Sequence, residues 1–515
     1  MKRIILALLL SITVCRLNGQ TVIPSVNDCT VKKGTFTIGK EVTVYADNHE
    51  AAYLSFLKNE VLNNTHRIVT SNNKNTAFKF NYSSNIRDEA YKLTINKSGV
   101  TIYASTEKGF FYAIQTIRQL IHISGDKCTL PFVEITDSPR VKFRSFMLDS
   151  GRQYQSVETI KKYIDMVILL KMNNFHWHLT EGLGWRVEID KYPLLTQKGA
   201  FVATGKEQQG FYSKNDIKEI IKYAQERYIN VMPEIDIPGH AEAALTAYPG
   251  LGCFNQKVEV PETGFTHNIM CAGKDSTLIF LKNVIDELCE LFPSEYIHLG
   301  GDEAPKGNWD KCPHCKARIK NLGLKNSGEL QVWLSATVAQ YLKDKGRKAV
   351  FWEDIIYHDG YPIPDNVVIQ WWNYRGHGDD GLKKTMEKGL GVICGTNYYN
   401  YLNFPVTAWS GYDINRTFDI KDIYLNNPSY RAAEPLVLGM NCALWTDYNV
   451  TEAMIDRRIF PRIFAIAEQM WYNGQPLPFD EFYNKVISKK DWFESKGYKY
   501  GPALKTDVPT NYSWE

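Results

Sequence analysis

Acidic and histidine residues gather where several apolar segments of this 515-residue chain end. The run His298–Glu303 closes on two adjacent carboxylates, Asp302 and Glu303. The run His176–Glu181 ends on a carboxylate, and the run Glu234–His240 ends on a histidine. Hydrolysis of a glycosidic bond needs one carboxylic acid to protonate the leaving oxygen and negative charge to face an oxocarbenium-like transition state. The pattern therefore favours cleavage of a sugar linkage.

Aromatic residues are the second feature of the pattern. They make up 13% of the chain, and ten of the 12 tryptophans follow residue 300. Trp352, Trp372 and Trp445 lie at the ends of strand-like segments. One tryptophan by itself is more often a core residue, but rings grouped near carboxylates can cover the apolar face of a sugar. The ensemble predicts a carbohydrate pocket in the second half of the chain.

An alternation of strands and helices would position these groups. Eight strand-like segments follow Val141, namely Phe143–Asp149, Asn174–Thr180, Asn230–Ile237, Tyr296–Asp302, Ala349–Asp354, Val367–Trp372, Gly391–Gly395 and Val437–Trp445. Amphipathic helical segments separate most of them, such as Val157–Leu170, Lys214–Arg227, Thr277–Leu291 and Glu329–Lys345. The alternation predicts an α/β fold, a (β/α)8 TIM barrel, with its site at the carboxyl ends of the strands.

A smaller unit precedes the predicted barrel. Residues 21–140 contain a hairpin pattern in 90–104, with its turn at Asn96–Gly99, and a helical period over Lys108–His122. We expect a small α/β (α+β) accessory domain there. The barrel is expected over 141–475, and a tail packed on it over 476–515.

The first 20 residues are typical of a signal peptide. Lys2 and Arg3 precede an apolar run, Ile4–Val14, that is too short to span a bilayer. We therefore expect cleavage and an extracytoplasmic location, periplasmic or secreted, and no later segment predicts a membrane span. The balance of 60 basic and 57 acidic residues gives no argument for a nucleic-acid partner.

Cysteines and histidines raise the question of a metal. Cys312-Pro-His-Cys315 has CxxC spacing, but no second pair follows it, so a local disulfide or two reduced thiols is favoured. Cys253 and Cys271 are candidates for closing a separate loop. We expect no metal and no cofactor.

One metal alternative stays open. His176 and His178 are spaced like the paired ligands of barrel metal hydrolases, with His240, His298 and Asp302 as further candidates. The abundance of tryptophan has no explanation in that chemistry.

The run His298–Glu303 resembles the catalytic motif of glycoside hydrolase family 20, the β-N-acetylhexosaminidases. Further segments resemble the family in the same order: Phe143–Arg152, Asn174–Arg186, Pro233–His240 and Pro461–Trp471. The segment Gly109–Leu120 is similar to the family's accessory domain. The resemblance covers nearly all of the chain after the signal peptide. It implies removal of terminal β-linked N-acetylhexosamine, GlcNAc or GalNAc, from the non-reducing end of glycans.

The resemblance also implies a mechanism. The 2-acetamido oxygen of the substrate attacks the anomeric carbon, so the enzyme supplies no nucleophile. Glu303 would be the general acid and then the base, while Asp302 would orient the acetamide. His240 would join a hydrogen-bonded relay with Glu303, and Tyr401 would donate to the acetamide oxygen.

Substrate-binding residues carry over in the same way. Arg144 would bind O3 and O4 of the sugar. Trp352, Trp372 and Trp445 would enclose the acetamide methyl group and the ring. Trp371 is the rival of Trp372, because the doubled tryptophan leaves the register uncertain by one residue.

Three departures from the family pattern concern substrate binding. Glu181 occupies a position where the family usually has Asp. Asn403 also occupies a usual Asp position, and Asp447 occupies a usual Glu position. Asn403 and Asp447 are expected to contact the O4 and O6 side of the sugar. With Asn403 and Asp447, the pocket wall near O4 and O6 would have more space and less negative charge than with the usual Asp and Glu. This predicts tolerance of 6-O-sulfated GlcNAc.

Other functions remain open beside the exo-acting enzyme. A relative that releases a disaccharide such as lacto-N-biose would need a pocket open near O3. From other classes come an inactive sugar-binding protein, which the intact Asp302-Glu303 pair disfavours, and the metal-dependent barrel hydrolase.

Overall fold

The computed structural model describes residues 22–62, 67–73, 75–406, 416–431, 435–447, 449–509 and 512. The predicted signal peptide at 1–20 lies outside these residues. No helix in the described ranges is both long enough and apolar enough to cross a membrane.

The N-terminal unit is a mixed sheet with helices on it. Its strands are β1 (Asp28–Ile38), β2 (Glu41–Tyr45), β3 (Arg67–Thr70), β4 (Phe78–Tyr82), β5 (Tyr91–Asn96), β6 (Gly99–Ala104), β7 (His122–Ser124) and β8 (Lys127–Asp137). The order in the sheet is β1-β8-β5-β6-β4-β2-β3, with β7 beside β8. The predicted hairpin is present as β5 and β6, which pair antiparallel. The predicted helix is present over Glu107–Leu120. Thr106 is its N-cap residue, and the Thr106 side chain accepts a hydrogen bond from the amide of Gly109.

The second unit is a closed barrel of eight parallel strands. They are β9 (Phe143–Asp149), β10 (Asn174–His178), β13 (Asn230–Glu234), β14 (Tyr296–His298), β15 (Lys348–Trp352), β16 (Val367–Trp371), β17 (Gly391–Cys394) and β18 (Val437–Leu444). A two-stranded hairpin, β11 (Thr180–Glu181) with β12 (Gly184–Trp185), follows β10. Strand β18 pairs with β9 and closes the ring. The predicted TIM barrel is confirmed.

The first two α-helices belong to the N-terminal unit, and the others lie between or after the barrel strands. Their bounds are Ala52–Phe56, Glu107–Leu120, Val157–Leu169, Leu194–Gln197, Lys214–Gln225, Glu242–Ala247, Asp275–Leu291, Gly307–Lys311, Pro313–Leu322, Ser327–Asp344, Tyr374–His377, Asp380–Glu387, Asn397–Asn400, Ile420–Asn426, Pro428–Arg431, Ile455–Ile459, Ile463–Trp471, Phe479–Ser488 and Lys490–Glu494. Short helical turns add Leu57–Val61, Gly199–Phe201, Lys206–Gln208, Pro249–Leu251, Glu353–Ile356, Glu452–Met454 and Lys505–Asp507.

One carboxylate joins the N-terminal unit to the barrel. Asp137, at the end of β8, accepts from Lys171 Nζ at 2.8 Å and from Trp471 Nε1 at 3.0 Å. It also accepts from Tyr91 in β5 at 2.6 Å. These partners come from the accessory sheet, the first barrel helix–strand connection and the last barrel helix. The two units therefore share a buried polar contact at Asp137 in addition to one apolar core.

The segment after the barrel packs against both units. Phe482, Val486 and Phe493 are buried. Lys489 Nζ donates to the carbonyl of Gln119 in the accessory helix at 3.2 Å, and Tyr498 donates to the carbonyl of Lys162 at 3.1 Å.

Candidate active site

The loop after β14 presents the paired carboxylates. The strand ends at His298, earlier than the predicted Asp302, because the chain turns through Gly300 (φ 63°) and Gly301 (φ 102°). A Cβ at Gly300 would lie 1.8 Å from Asp236 Oδ1, so the turn requires glycine. Glu303 itself has φ 44°, a left-handed conformation that is rare for a non-glycine residue. The irregular backbone lets the side chains of Asp302 and Glu303 reach the same histidine.

That histidine is His240, which lies in the loop after β13. Its Nε2 lies 3.4 Å from Asp302 Oδ2 and 3.6 Å from Glu303 Oε2. Its Nδ1 lies 2.7 Å from Glu181 Oε1. Burial lowers the pKa of His240, but Glu181 and Asp302 outweigh it and hold that pKa well above the usual 6.5. The imidazole is therefore a charged group with carboxylates on both sides.

Asp302 is buried more deeply than Glu303. The side chain of Asp302 is 13% exposed and that of Glu303 is 55% exposed. Burial raises the pKa of Asp302, but the charge and hydrogen bond of His240 prevail and the pKa is lowered. Asp302 is thus ionised, while Glu303 faces the open side of the site. The two carboxyl groups have the unequal environments that acid–base catalysis with an adjacent stabilising anion needs.

A third carboxylate fixes the neighbouring backbone and an aromatic wall. Asp354 Oδ1 accepts from the amide of Glu303 at 3.1 Å, and its Oδ2 accepts from Trp372 Nε1 at 2.8 Å. Burial, followed by the charge of Asp302, raises the pKa of Asp354 to about 6. Asp354 therefore couples the orientation of Trp372 to the position of Glu303.

The aromatic residues form one cluster beside the carboxylates. It contains Trp352, Tyr401 and Trp445, with Trp372 packed against it. The rings of Trp372 and Tyr401 are parallel within 5°, with centroids 6.5 Å apart. Trp371, the rival of Trp372, is fully buried elsewhere and donates to the carbonyl of Gly378 at 3.2 Å. The structure places Trp372, and not Trp371, in the cluster.

An open cavity of about 670 Å³ lies beside Glu303 and His240, and it is large enough for a sugar. Arg152, Glu181, His240, Glu303 and Asp447 line it. Asn403 lies at the same edge, where its Nδ2 donates to Asp447 Oδ1 at 3.0 Å. Burial raises the pKa of Asp447 to about 6, against the opposing effect of Arg152.

The prediction that Arg144 binds the sugar is wrong. Arg144 is the second residue of β9, at the opposite end of the strand from the site, and it is fully buried. Its guanidinium donates to the carbonyls of Lys171 and Val141 at 2.8 Å and pairs with Glu89 of the accessory unit at 2.9 Å. Arg144 holds the two units together.

Arg152 occupies the place that was assigned to Arg144. It follows β9 at the carboxyl end, where Asp149 Oδ2 accepts from its Nη1 at 2.8 Å and Glu181 Oε1 accepts from its Nη2 at 2.7 Å. Its guanidinium carbon lies 5.1 Å from the centre of the Trp445 ring. The pairing with two carboxylates fixes the guanidinium at the cavity wall.

Glu181 is a nearly buried residue of the cavity wall. It is 3% exposed and contacts both Arg152 and His240 through Oε1. Burial raises its pKa, but these two cations prevail and lower it to about 2. Glu181 positions Arg152 and His240, and its contact with substrate stays a prediction.

The histidines of the metal alternative lie inside the barrel. His176 Nε2 is 2.8 Å and His178 Nδ1 is 2.7 Å from Glu234 Oε2, and His298 Nδ1 is 3.1 Å from Glu234 Oε1. All four side chains are fully buried beneath the cavity. Trp352 Nε1 donates to the same carboxylate at 2.8 Å, which fixes the base of the aromatic cluster.

Sequence reasoning missed Arg152, Asp354 and the buried Arg186. Arg144 lies near the start of its predicted strand. This position argues against a role in the active site, because barrel active sites lie at the carboxyl ends of the strands. Asp354 ends the predicted strand Ala349–Asp354, but its sequence position indicates no specific role. Arg186 donates to five backbone carbonyls around the loops beside Arg152. No pattern in the sequence reveals those carbonyls.

Comparison with known proteins agrees with this geometry. The family model described as "Glycosyl hydrolase family 20, catalytic domain" matches residues 141–474, and "Glycosyl hydrolase family 20, domain 2" matches residues 19–138. A Porphyromonas gingivalis beta-hexosaminidase is 37% identical over 437 residues, which are 81% of this chain and 55% of that protein. The chain thus spans about half the length of this curated relative.

Two solved structures are similar over most of the chain. A β-N-acetylhexosaminidase from Bacteroides fragilis NCTC 9343 has 56% identity and a TM-score of 0.92, covering 96% of this chain and 100% of that one. An exo β-N-acetylglucosaminidase from Vibrio harveyi, solved in complex with N-acetylglucosamine, has 25% identity and a TM-score of 0.84, covering 95% and 79%. With both domains matched in order on one continuous chain, this protein belongs to glycosyl hydrolase family 20.

Proposed function

We propose that the protein is an exo-acting β-N-acetylhexosaminidase that removes terminal β-linked GlcNAc or GalNAc from the non-reducing end of glycans. The observation that carries the proposal is the convergence of Asp302 and Glu303 on His240 Nε2 beside an aromatic cluster. The named activities of the similar proteins support the same reaction.

The proposed reaction proceeds in two steps. In the first, the 2-acetamido oxygen of the sugar attacks the anomeric carbon while Glu303 protonates the departing glycosidic oxygen. An oxazolinium forms, and the ionised Asp302 stabilises its positive charge. In the second, Glu303 takes a proton from water, which attacks the anomeric carbon and restores the acetamide with retained configuration. No protein nucleophile is required, which sets this scheme apart from two-carboxylate retaining hydrolysis.

The other cavity residues bind and position the sugar. Several buried polar atoms around the cavity have no hydrogen-bond partner among the described residues, and they include Asp302 Oδ1, Asn403 Oδ1 and Trp445 Nε1. Buried polar atoms without partners are costly, so groups that a ligand satisfies are expected at such places. The acetamide and hydroxyl groups of a sugar supply the missing partners. Arg152 supplies charged donors in the same cavity.

The wall near Asn403 and Asp447 leads to a narrower proposal, tolerance of a 6-O-sulfate on the terminal GlcNAc. The amide of Asn403 donates to Asp447, so this pair carries one negative charge, and Arg152 offsets part of it. A second carboxylate about 4 Å from a sulfate would oppose it by on the order of 4 kcal/mol at an effective dielectric near 20. Its replacement by an amide removes that repulsion.

The sulfate proposal is tested with aryl glycosides of 6-sulfo-GlcNAc and GlcNAc. We expect measurable kcat/KM on the sulfated substrate for the native protein. The double variant Asn403→Asp with Asp447→Glu should lower the ratio of sulfated to plain activity. An unchanged ratio, or rejection of the sulfated substrate by the native protein, would remove the proposal.

We also infer that the protein is exported, since the start of the chain is typical of a cleaved signal peptide. Fractionation of the native host with N-terminal sequencing of the mature protein tests this. Recovery of the uncleaved chain in the cytoplasm would contradict export.

One set of assays tests the main function against its alternatives. Aryl β-GlcNAc, aryl β-GalNAc and aryl lacto-N-bioside are compared side by side, with and without EDTA, while the thermal midpoint is followed. Turnover of the monosaccharide glycosides supports the exo-acting enzyme, and turnover of the lacto-N-bioside alone indicates disaccharide release. Loss of activity in EDTA at an unchanged thermal midpoint, restored by a divalent metal, would indicate a metal hydrolase. Binding without turnover would indicate a lectin-like protein.

A further inference from the structure

Four cysteines that are distant in sequence meet outside the active site. Cys253 and Cys271 belong to the long loop after β13, while Cys312 and Cys315 belong to the loop and helix after β14. The Sγ atom of Cys271 lies 3.7 Å from that of Cys312 and 3.6 Å from that of Cys315. The Sγ atoms of Cys253 and Cys315 are 4.0 Å apart. All four sulfur atoms lie within 4.8 Å of one another, and all four residues are buried.

The mutual spacing of the four sulfurs matches a tetrahedral metal site. A zinc ion with Zn–S bonds of about 2.3 Å in a tetrahedron holds its sulfurs about 3.8 Å apart. Two disulfides would instead make two sulfur pairs of about 2.05 Å. We propose that Cys253, Cys271, Cys312 and Cys315 bind one structural Zn²⁺ ion.

The proposed zinc site differs from the sequence-based expectation about these residues. The CxxC pair at Cys312 and Cys315 was expected to lack a partner pair because none follows it. The second pair precedes it, with Cys271 41 residues before Cys312. Two successive barrel loops bring the pairs together, and a spacing rule that reads forward along the chain misses this.

The backbone holds both pairs in place without help from the metal. An isolated bridge pairs Gly252 with Met270, which sets Cys253 and Cys271 side by side. Gly273 packs so closely on the other segment that a Cβ there would lie 2.2 Å from the carbonyl carbon of His314. Main-chain contacts therefore position the segments that carry both cysteine pairs.

The local charges suit a group of thiolates. Cys315 lies in the first turn of the helix Pro313–Leu322, where the helix dipole favours negative charge. Lys274 donates to the carbonyl of Gly252, and Arg318 donates to the carbonyl of Gly273 at 3.2 Å. Two cations thus flank a site whose zinc tetrathiolate would carry two negative charges.

The ion would act on structure and not on the reaction. Four thiolates fill a tetrahedral shell, so no position stays open for water or substrate. The site instead connects the loop of His240 to the loop of Asp302 and Glu303.

Next to the site, Trp309 donates to the carbonyl of Met270 at 2.9 Å, and the amide of Met270 donates to the carbonyl of Pro238 at 2.9 Å. Gly239, between Pro238 and His240, packs on Asp302 and Ala304.

Metal analysis of the full-length protein, purified without chelator, tests the proposal. We expect about one zinc per chain. The variants Cys253→Ser and Cys315→Ser should lose that zinc, with a lower thermal midpoint and a lower kcat. Cys394→Ser and Cys442→Ser are matched controls, because both cysteines are fully buried in barrel strands outside the cluster, and they should keep the zinc.

Two further measurements on the native protein keep the test decisive if a variant fails to fold. A mercurial that blocks thiols should release about one equivalent of zinc to a colorimetric chelator. Alkylation under denaturing, chelating and non-reducing conditions should label all four cysteines. Disulfide-linked peptides among them, iron in place of zinc, or a metal-free protein after growth with added zinc would each overturn the proposal.

Discussion

At the scale of single residues, Arg152 is proposed to bind substrate, while Arg144 connects the two units. Arg152 lies at the cavity wall, and Arg144 lies fully buried at the other end of β9. Strand geometry of about 3.3 Å per residue puts the position of Arg144 about 17 Å from the end of β9 at Asp149. The same substitution at both positions therefore has different expected effects.

The paired variants are Arg152→Lys and Arg144→Lys. Lysine keeps the charge but loses the planar fork, and a hydrogen bond to a charged group is worth about 1.5–3 kcal/mol. Arg152→Lys should lower kcat/KM by about tenfold to a hundredfold with a small change in thermal midpoint. Arg144→Lys should lower the thermal midpoint and leave KM near the native value. A rise in KM for Arg144→Lys with none for Arg152→Lys would reinstate the original assignment.

Asp447 predicts a pH dependence of substrate choice. Burial raises its pKa to about 6, so this carboxyl is neutral below about pH 6 and negative above. Repulsion of a 6-sulfate by Asp447 is thus present above that pKa and lost as pH falls through it. The ratio of kcat/KM for sulfated over plain GlcNAc glycosides should rise between pH 7 and pH 5. In Asp447→Asn the ratio should be high and flat, and a native ratio that is equally flat would exclude Asp447 as the cause.

At the scale of elements, buried arginines hold the loops that form the cavity. Arg186 donates to the carbonyls of Ser150 and Gly151, beside Arg152, and to three carbonyls at Ala200, Gln208 and Gly210. Arg462 does the same for the loop of Tyr401 and Asn403, with donations to Leu402, Phe404, Phe418 and Arg458. Each guanidinium replaces the regular hydrogen bonds that an irregular loop lacks.

Replacement of Arg186 by lysine tests this scaffold. An ammonium group has three donors for five carbonyls, so at least two buried acceptors lose their partner. We expect the free energy of unfolding to fall by about 2–4 kcal/mol and KM to rise, because Arg152 loses its supporting loop. The control Arg87→Lys, at an exposed side chain, should change neither. A fully native KM in Arg186→Lys would show that the loops hold the site without Arg186.

Most of the barrel elements are predictable from the sequence, for a physical reason. Parallel barrel strands are buried on both faces, so each is a short apolar run between amphipathic helices. Strand β9 has the predicted bounds, and β16 and β17 differ from them by one residue. Strand β14 ends early because Gly300 and Gly301 turn the chain toward Asp302, and a residue pattern does not state where a turn begins.

Contacts between distant segments explain what was missed. The Cys253–Cys271 pair meets Cys312–Cys315 through two barrel loops, and Arg186 finds carbonyls in three loops. Neither set of contacts produces a local periodicity or a fixed residue spacing in the sequence. The left-handed backbone of His240 and Glu303 is likewise a product of the surrounding fold.

At the scale of the whole molecule, Asp137 connects the N-terminal unit, the barrel and the last barrel helix. It is 1% exposed and neutralises Lys171, which is fully buried. Removal of one partner of a buried ion pair costs about 3–5 kcal/mol, because the other charge stays buried without compensation. Asp137→Asn should lower the free energy of unfolding by about that amount.

Because the contact joins both units, we expect calorimetry to show one transition that shifts as a whole in Asp137→Asn. The exposed turn variant Asp126→Asn is the control and should melt like the native protein. A separate early transition of the accessory unit, with the barrel unchanged, would mean that the two units are not coupled through Asp137.

In the proposed reaction Glu303 delivers the proton while the substrate supplies the nucleophile, and one comparison of variants tests the role of Glu303 most directly. The kcat/KM of Glu303→Gln is measured on a GlcNAc-terminated disaccharide and on an aryl GlcNAc glycoside with a good leaving group. Glu262→Gln, at an exposed carboxylate that lines the same cavity, is the matched control. We expect Glu303→Gln to lose about 10²–10⁴-fold on the disaccharide, where the leaving oxygen needs the proton, and much less in the first step with the aryl glycoside. Near-native activity of Glu303→Gln on the disaccharide would contradict the account.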